Sequence, residues 1–227
     1  MKKVAVLQSS YIPWKGYFDI IHDVDEFVFY DEVQFTVRDW RSRNYVYGKN
    51  GLILLSLSCL GGRNQAIRDV KIQPIQKHFK TISQTYSKSA FFDLYADFLS
   101  KIYSKDWLYL SDLNQHIIKV IAKDFLGIHT KFSISSDYKA SGSKHEKLLN
   151  LVKATGASVY VSGPAAKNYI IEQDYTDNGI EIMWKNYSNY PQYSQLNSKF
   201  LHNVSVLDVL FNCGEEAPFY IWGWRNK

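Results

Sequence analysis

The chain has 227 residues, a formal charge of +5 and two cysteines. No apolar run approaches the ~20 residues of a membrane-spanning helix, and the run after the basic start is shorter than the ~7–15 residues of a signal-peptide core. The expectation is a cytoplasmic protein without membrane insertion, whose charge mildly favours an anionic partner but does not demand nucleic acid.

Val4 to Leu7 is a short apolar run suited to a buried parallel strand. A polar loop from Gln8 to Trp14 follows, and then Gly16 opens a segment whose Tyr17, Ile20, Ile21 and Val24 recur at helical spacing. Phe27 to Tyr30 is a second buried-type strand ending in Asp31-Glu32. Such a β-loop-α-β unit connects right-handedly into a parallel sheet, which puts the polar ends of both strands on one ligand-binding edge. A turn at Gly48–Gly51, a strand at Leu52–Leu57 and a short strand at Val70–Ile72 come next. Cys59 and Cys213 lie in apolar surroundings without a CxxC pair and read as buried thiols. From 74 to 126 the period becomes helical, with three amphipathic segments stopped by Gly127. Strands are expected at 131–134, 157–161 and 181–184, and helices at 145–154, 165–171 and 205–212. The expected architecture is one α/β domain over 1–227, with a mostly parallel Rossmann-like sheet and 74–126 a helical insertion beside it.

Three constellations carry chemistry. At the first, a helix opening at Gly16 offers unpaired N–H groups to an anion, and Gln8 offers a donor and an acceptor to a hydroxyl or carboxamide. The second runs from Asp31 to Asn44. Arg38, Arg41 and Arg43 around Trp40 suit a diphosphate with a ring stacked beside it, and Gln34 and Asn44 add polar contacts. The chain holds 17 Tyr, 13 Phe and 6 Trp. Aromatic faces near arginine suit sugars and nucleobases, although tyrosines filling half-exposed positions would explain the content as well. Asp31, at a strand terminus, is the candidate general base, with His22 behind it on the same edge. In the third, Ser162, Gly163 and Pro164 follow a strand, with Lys167 one turn on; capping alone also explains this pattern. His78 and His145 read as single histidines on amphipathic helices without a metal or triad partner in sequence.

The order QSSYIPWKGYFDII, FVFYDEVQFTVRDWRSRN, GASVYVSGPAAKNYI and SVLDVLFNCG resembles the WbqC-like family over nearly the full chain. That family is associated with bacterial O-antigen and other surface-polysaccharide loci. Ser9 stands where the commoner form, QPxYxPW, has proline. The resemblance implies substrate contacts at Gln8, Tyr11, Trp14, Gly16 and Tyr17. A second likeness is to class I synthetase and nucleotidyltransferase folds. Pro13 to Tyr17 occupy the place of their H-x-G-H signature, with Trp14 and Tyr17 where the two histidines stand.

Together these likenesses imply a transferase or ligase that joins an activated aminoacyl group, such as glycyl, to the amine of a nucleotide-linked amino sugar. The acyl-activating partner is left open between ATP, an aminoacyl-tRNA and an acyl-CoA, and tRNA is a partner only in the second case. A homo-oligomer stays open. The rival class is a non-catalytic nucleotide-sugar-binding or glycan-assembly scaffold. A glycosyltransferase is a third class, to which no D-x-D metal motif is counted.

Overall fold

A computed structural model describes residues 1–226. In chain order it begins with β1 (Lys3–Leu7), α1 (Lys15–His22) and β2 (Glu26–Phe29). Next come β3 (Arg43–Gly48), β4 (Gly51–Ser56), β5 (Cys59–Leu60) and β6 (Lys71–Ile72), followed by α2 (Gln76–Tyr86), α3 (Phe92–Ser104) and α4 (Leu110–Val120). Alternation then resumes with β7 (Lys131–Ile134), α5 (Lys144–Ala154), β8 (Val159–Ser162), α6 (Glu172–Asp177) and β9 (Glu181–Trp184), and the chain closes with α7 (Val206–Cys213) and α8 (Ala217–Ile221).

The central sheet has five strands in the order β7-β2-β1-β8-β9, all parallel. The architecture is Rossmann-like, with the chain starting in the middle, building to one side and crossing over to the other. Side chains alternate between two cores, as strand geometry requires. Val4, Val6, Val28 and Tyr160 pack with α5 residues such as Leu148 and Leu151. Ala5, Phe27, Phe29 and Val159 face the other way, toward α1, α2, α3, α4 and α7. Both faces are covered, which accounts for strands that are apolar throughout.

The strand expected at 52–57 is not part of this sheet. It is β4, which pairs antiparallel with β3 from Arg43↔Ser56 to Gly48↔Gly51 as a separate hairpin. The turn is Lys49-Asn50, and Gly51 follows at φ 109°, where a side chain would be strained. The segment expected as a helix at 165–171 is a 3-10 turn over Pro164–Asn168, succeeded by the separate α6. After α4 the chain continues through a π-turn at Ile121–Phe125 and ends at Gly127 in the left-handed region. Among the described residues no helix is long and apolar enough to cross a membrane.

Candidate functional site

The crevice follows from the sheet's own pairing. β1 and β8 pair at two positions, Lys3↔Val159 and Val4↔Tyr160. Beyond these, β1 stays with β2 and β8 with β9, so β1 and β8 part toward their carboxyl ends. Strand order reverses at the same place, where open α/β sheets take ligands.

The loop from Gln8 to Trp14 emerges into this gap and is held from several sides. The Ser9 N–H donates to Asp31 Oδ1 at 2.7 Å, and Gln115 Nε2 donates to Asp31 Oδ2 at 2.8 Å. Asn44 Nδ2 donates to the carbonyls of Tyr11 at 3.2 Å and Ile12 at 2.8 Å. The Tyr11 N–H donates to the Trp40 carbonyl at 3.0 Å, and the Tyr17 hydroxyl to the Gln8 carbonyl at 2.9 Å. These ties hold Ile12 at φ 37°, a conformation a β-branched residue keeps only where its surroundings over-determine it. Gly16 serves packing, because a Cβ there would run into the Trp14 indole.

Two cavities of about 350 Å3 and about 650 Å3 open on this loop, with Leu7 and Gln8 lining both. Trp14, Tyr17, Trp40, Arg41 and Asn44 wall the smaller one, with Tyr187. Glu32, Gln34, His145, Lys147 and Tyr169 wall the larger. At the common wall Gln8 Oε1 accepts from Arg41 Nη1. Arg41 is the charged residue of the smaller cavity, and its own carbonyl accepts from Asn114 Nδ2 at 2.8 Å. Each cavity carries one half-exposed ring, Trp40 at 48% and Tyr169 at 60% exposure.

The structure thus brings Gln8, Trp14, Tyr17, Trp40, Arg41 and Asn44 together and puts Gln34 across the common wall, its Nε2 donating to the Arg63 carbonyl. It does not gather the three arginines. Arg38 is exposed on left-handed backbone at φ 60° and Arg43 lies on β3, so among them only Arg41 lines a cavity. Tyr11 is fully buried, its hydroxyl 2.7 Å from both His78 Nδ1 and the Tyr103 hydroxyl. Ser162 is buried at the end of β8, Gly163 opens the 3-10 turn, and Lys167 lies over the Trp184 ring at 5.3 Å; none of the three lines either cavity.

His22 ends α1 at the opposite edge of the sheet, stacked on Trp222 with ring centroids 4.2 Å apart. Beside it Asp23-Val24-Asp25 is a D-x-D triplet, which corrects the reading that counts none. The triplet joins α1 to the start of β2, away from the crevice. Asp23 is ion-paired to Lys185, and Asp25 accepts from the Lys3 N–H at 2.7 Å.

Asp31 is buried and lines neither cavity. Burial raises its pKa, against the opposing pull of Gln115, Ser9 and Arg41. The arginine therefore does not hold it low, because desolvation outweighs the nearby charge. Two further groups escape sequence reasoning. His145 Nε2 lies 2.8 Å from Asp174 Oδ2, a partner 29 residues away on another helix. Lys15 is buried with its Nζ unpartnered, 4.8 Å from the Tyr190 ring centre and 5.3 Å from that of Tyr193, and burial pushes its pKa down to about 8. The PWKGY segment places Lys15 near the site, but nothing local announces its burial. Among the described residues no group of three or more His, Cys, Asp or Glu is placed to hold a metal ion.

A sequence model of the WbqC-like protein family matches residues 8–220. The uncharacterized protein Rv1507c of Mycobacterium tuberculosis is 41% identical over 227 residues, covering 97% of this chain and 98% of its own. No solved structure matches.

Proposed function

The chain belongs to the WbqC-like family, and from that premise we propose that it is a cytoplasmic enzyme of surface-polysaccharide biosynthesis. In this reading it joins an activated aminoacyl group to the amine of a nucleotide-linked amino sugar. The observation that carries the reading is the pair of cavities meeting at Gln8 at the switch point of the sheet. A two-substrate transfer needs two seats with a shared wall, where the reacting groups are held in contact.

Arg41 is fixed at that wall by Gln8 and by its own backbone, so its guanidinium is set to grip a diphosphate bidentately. Trp40 and Tyr169 offer faces for a nucleobase and a sugar. Asp31 acts here by holding the loop, since the Ser9 N–H and Gln115 take one oxygen each. Acyl activation comes from ATP, an aminoacyl-tRNA or an acyl-CoA, and the assay carries an arm for each. The scaffold reading has one observation in its favour: β4 presents Leu52, Ile53 and Leu54 at 38–50% exposure, an apolar edge suited to a protein partner.

Thermal denaturation with UDP- and dTDP-linked 4-amino-4,6-dideoxy sugars separates the two. A ligand at a hundred times its Kd stabilises by about 2.7 kcal/mol, which raises Tm by roughly 5–10 °C in a chain of this size. Arg41→Ala should abolish that shift while changing the ligand-free Tm little. A flat Tm with every sugar nucleotide would leave the scaffold standing. Mass spectrometry of the sugar after incubation with glycine and ATP, glycyl-tRNA or glycyl-CoA reads the amide directly.

A further inference from the structure

The β3–β4 hairpin is a two-stranded sheet of its own, an arrangement that is marginal unless something covers or extends it. The Leu57 N–H donates to the Ser42 carbonyl at 2.8 Å. From that pair the antiparallel alternation fixes which residues bond across the hairpin and which turn their backbone outward. On β3 the outward groups include those of Tyr45 and Tyr47, and the chain itself takes them. The Tyr45 carbonyl accepts from the Ser205 N–H at 2.9 Å, and the Tyr47 N–H donates to the Tyr86 hydroxyl at 2.9 Å.

On β4 the outward groups are those of Leu52, Leu54 and Ser56. The His78 imidazole bonds the Ser56 backbone, and just beyond it the Ser58 carbonyl accepts from the Gln73 N–H at 2.9 Å. The outward N–H and C=O groups of Leu52 and Leu54 have no partner among the described residues. Leu52, Ile53 and Leu54 also bring exposed apolar side chains to this edge. Free edges are ordinarily guarded by a charge, a proline or a bulge, but from Asn50 to Gly62 the chain carries neither charge nor proline. An edge of this kind takes a further strand. The free groups lie symmetrically about Ile53, the condition for a strand to pair with itself across a two-fold axis.

We propose that β4 pairs antiparallel with β4 of a second copy of this chain, about an axis at Ile53, so that the two-stranded hairpins join into one four-stranded sheet. Leu52 then exchanges both backbone hydrogen bonds with the partner's Leu54, and Leu54 with the partner's Leu52, which satisfies every free edge group of both copies. Ile53 faces its own counterpart in a close apolar pair. A charged strand finds no counter-charge on this edge, whereas an identical one finds its match. Pairing ends where His78 already holds Ser56, and the two Lys49 turns fall at opposite ends, apart from each other. A contact this short belongs below about 1,200 Å2, where association is weak and follows concentration. The assignment is independent of the amide-forming reading, and it gives the apolar edge to a second copy rather than to a foreign protein.

The test is sedimentation velocity of the full chain from about 1 to 300 μM, the range of a weak contact, with amide hydrogen exchange at both ends of that range. The wild type should pass from monomer to dimer. The Leu52 and Leu54 amides should gain protection as it does, while those of Ile53 and Leu55, bonded within the hairpin, keep theirs. Ile53 is 38% exposed, so the hairpin accommodates a charge there. Ile53→Lys and Ile53→Glu should each stay monomeric, because like charges directly opposite repel, and an equimolar mixture of the two should dimerise again. A wild type monomeric throughout, or a dimer that both single variants keep, overturns the proposal. Where a variant loses its circular dichroism, the wild-type exchange decides: unchanged rates at Leu52 and Leu54 in a dimeric chain overturn the pairing.

Discussion

At the scale of single residues, Asp31 shows how a local pattern and a tertiary environment diverge. The sequence marks it because an apolar strand ends in a carboxylate, and that much is visible without coordinates. What it touches is not visible, because Gln115 lies 84 residues away on α4. With both oxygens accepting, Asp31→Asn is not a neutral swap. One of its two atoms becomes an NH2 group facing either the Ser9 N–H or Gln115 Nε2, both donors. An unsatisfied buried donor costs about 1–3 kcal/mol, so Asp31→Asn should lower stability by that amount in urea denaturation. Gln115→Leu should cost part of the same, because it frees only one oxygen. An Asp31→Asn protein with wild-type stability and no turnover would instead restore Asp31 as the base. The cluster of Gln8, Trp14, Trp40 and Arg41 was more legible, since all four stand in loops that leave a strand or precede one. Arg38 and Arg43 could not be separated from Arg41 by spacing, because the left-handed kink at Arg38 and the pairing of β3 decide which way each points.

Among the elements, α1 depends on distant segments more than on its own eight residues. It has no side-chain N-cap, and a helix this short is marginal without packing. Asp19, fully buried in its middle, receives Lys185 Nζ at 2.7 Å and two hydrogen bonds from Arg225, each 2.7 Å. Trp222 adds its stack on His22. The end of the chain thus fastens the helix that begins beside the crevice. Arg225→Ala removes two charge-assisted bonds from a buried carboxylate but leaves Lys185 in place. The cost should be about 2–3 kcal/mol, read as a lower urea midpoint at unchanged m-value. A change under about 0.5 kcal/mol, the range of an ordinary surface substitution, would show that Lys185 and the Tyr190 hydroxyl, which also donates to Asp19, satisfy the carboxylate between them. The helical periods at 74–126 were readable because three apolar stripes recur there. The β3–β4 hairpin was half readable. Leu52 to Leu57 announced a strand, but Arg43 to Tyr47 mixes charge and aromatics, and its pairing with β4 rather than the sheet depends on tertiary context.

For the whole molecule, the five-strand parallel sheet was implicit in apolar runs alternating with helices. The splay between β1 and β8 was not, because register between strands about 150 residues apart has no local signature. Lys15 is the group whose ionisation couples most of these parts. It belongs to α1, lies near Asp208 of α7, and its Nζ faces the Tyr190, Tyr193 and Phe200 rings. Burial lowers its pKa from 10.5 to about 8, so the folded state gives up a proton that the unfolded chain keeps. Between about pH 8 and 10.5 the unfolded state binds more protons, and stability contributed by this group rises with pH. Below pH 8 the folded protein carries a buried charge that costs about 3 kcal/mol. Cation–π attraction to the three rings offsets about 0.5–2 kcal/mol of that. Burial wins by these magnitudes, so Lys15→Met should stabilise the fold at pH 7 by about 1–3 kcal/mol. The gain should shrink steadily as pH rises from about 8 toward 10.5, where the wild-type amine is neutral in both states. Paired urea denaturations of wild type and variant at pH 7, 8.5 and 10 read this difference directly, with the other titrating groups common to both. A variant less stable than wild type at pH 7 would mean that the aromatic rings hold the ammonium more strongly than its burial repels it.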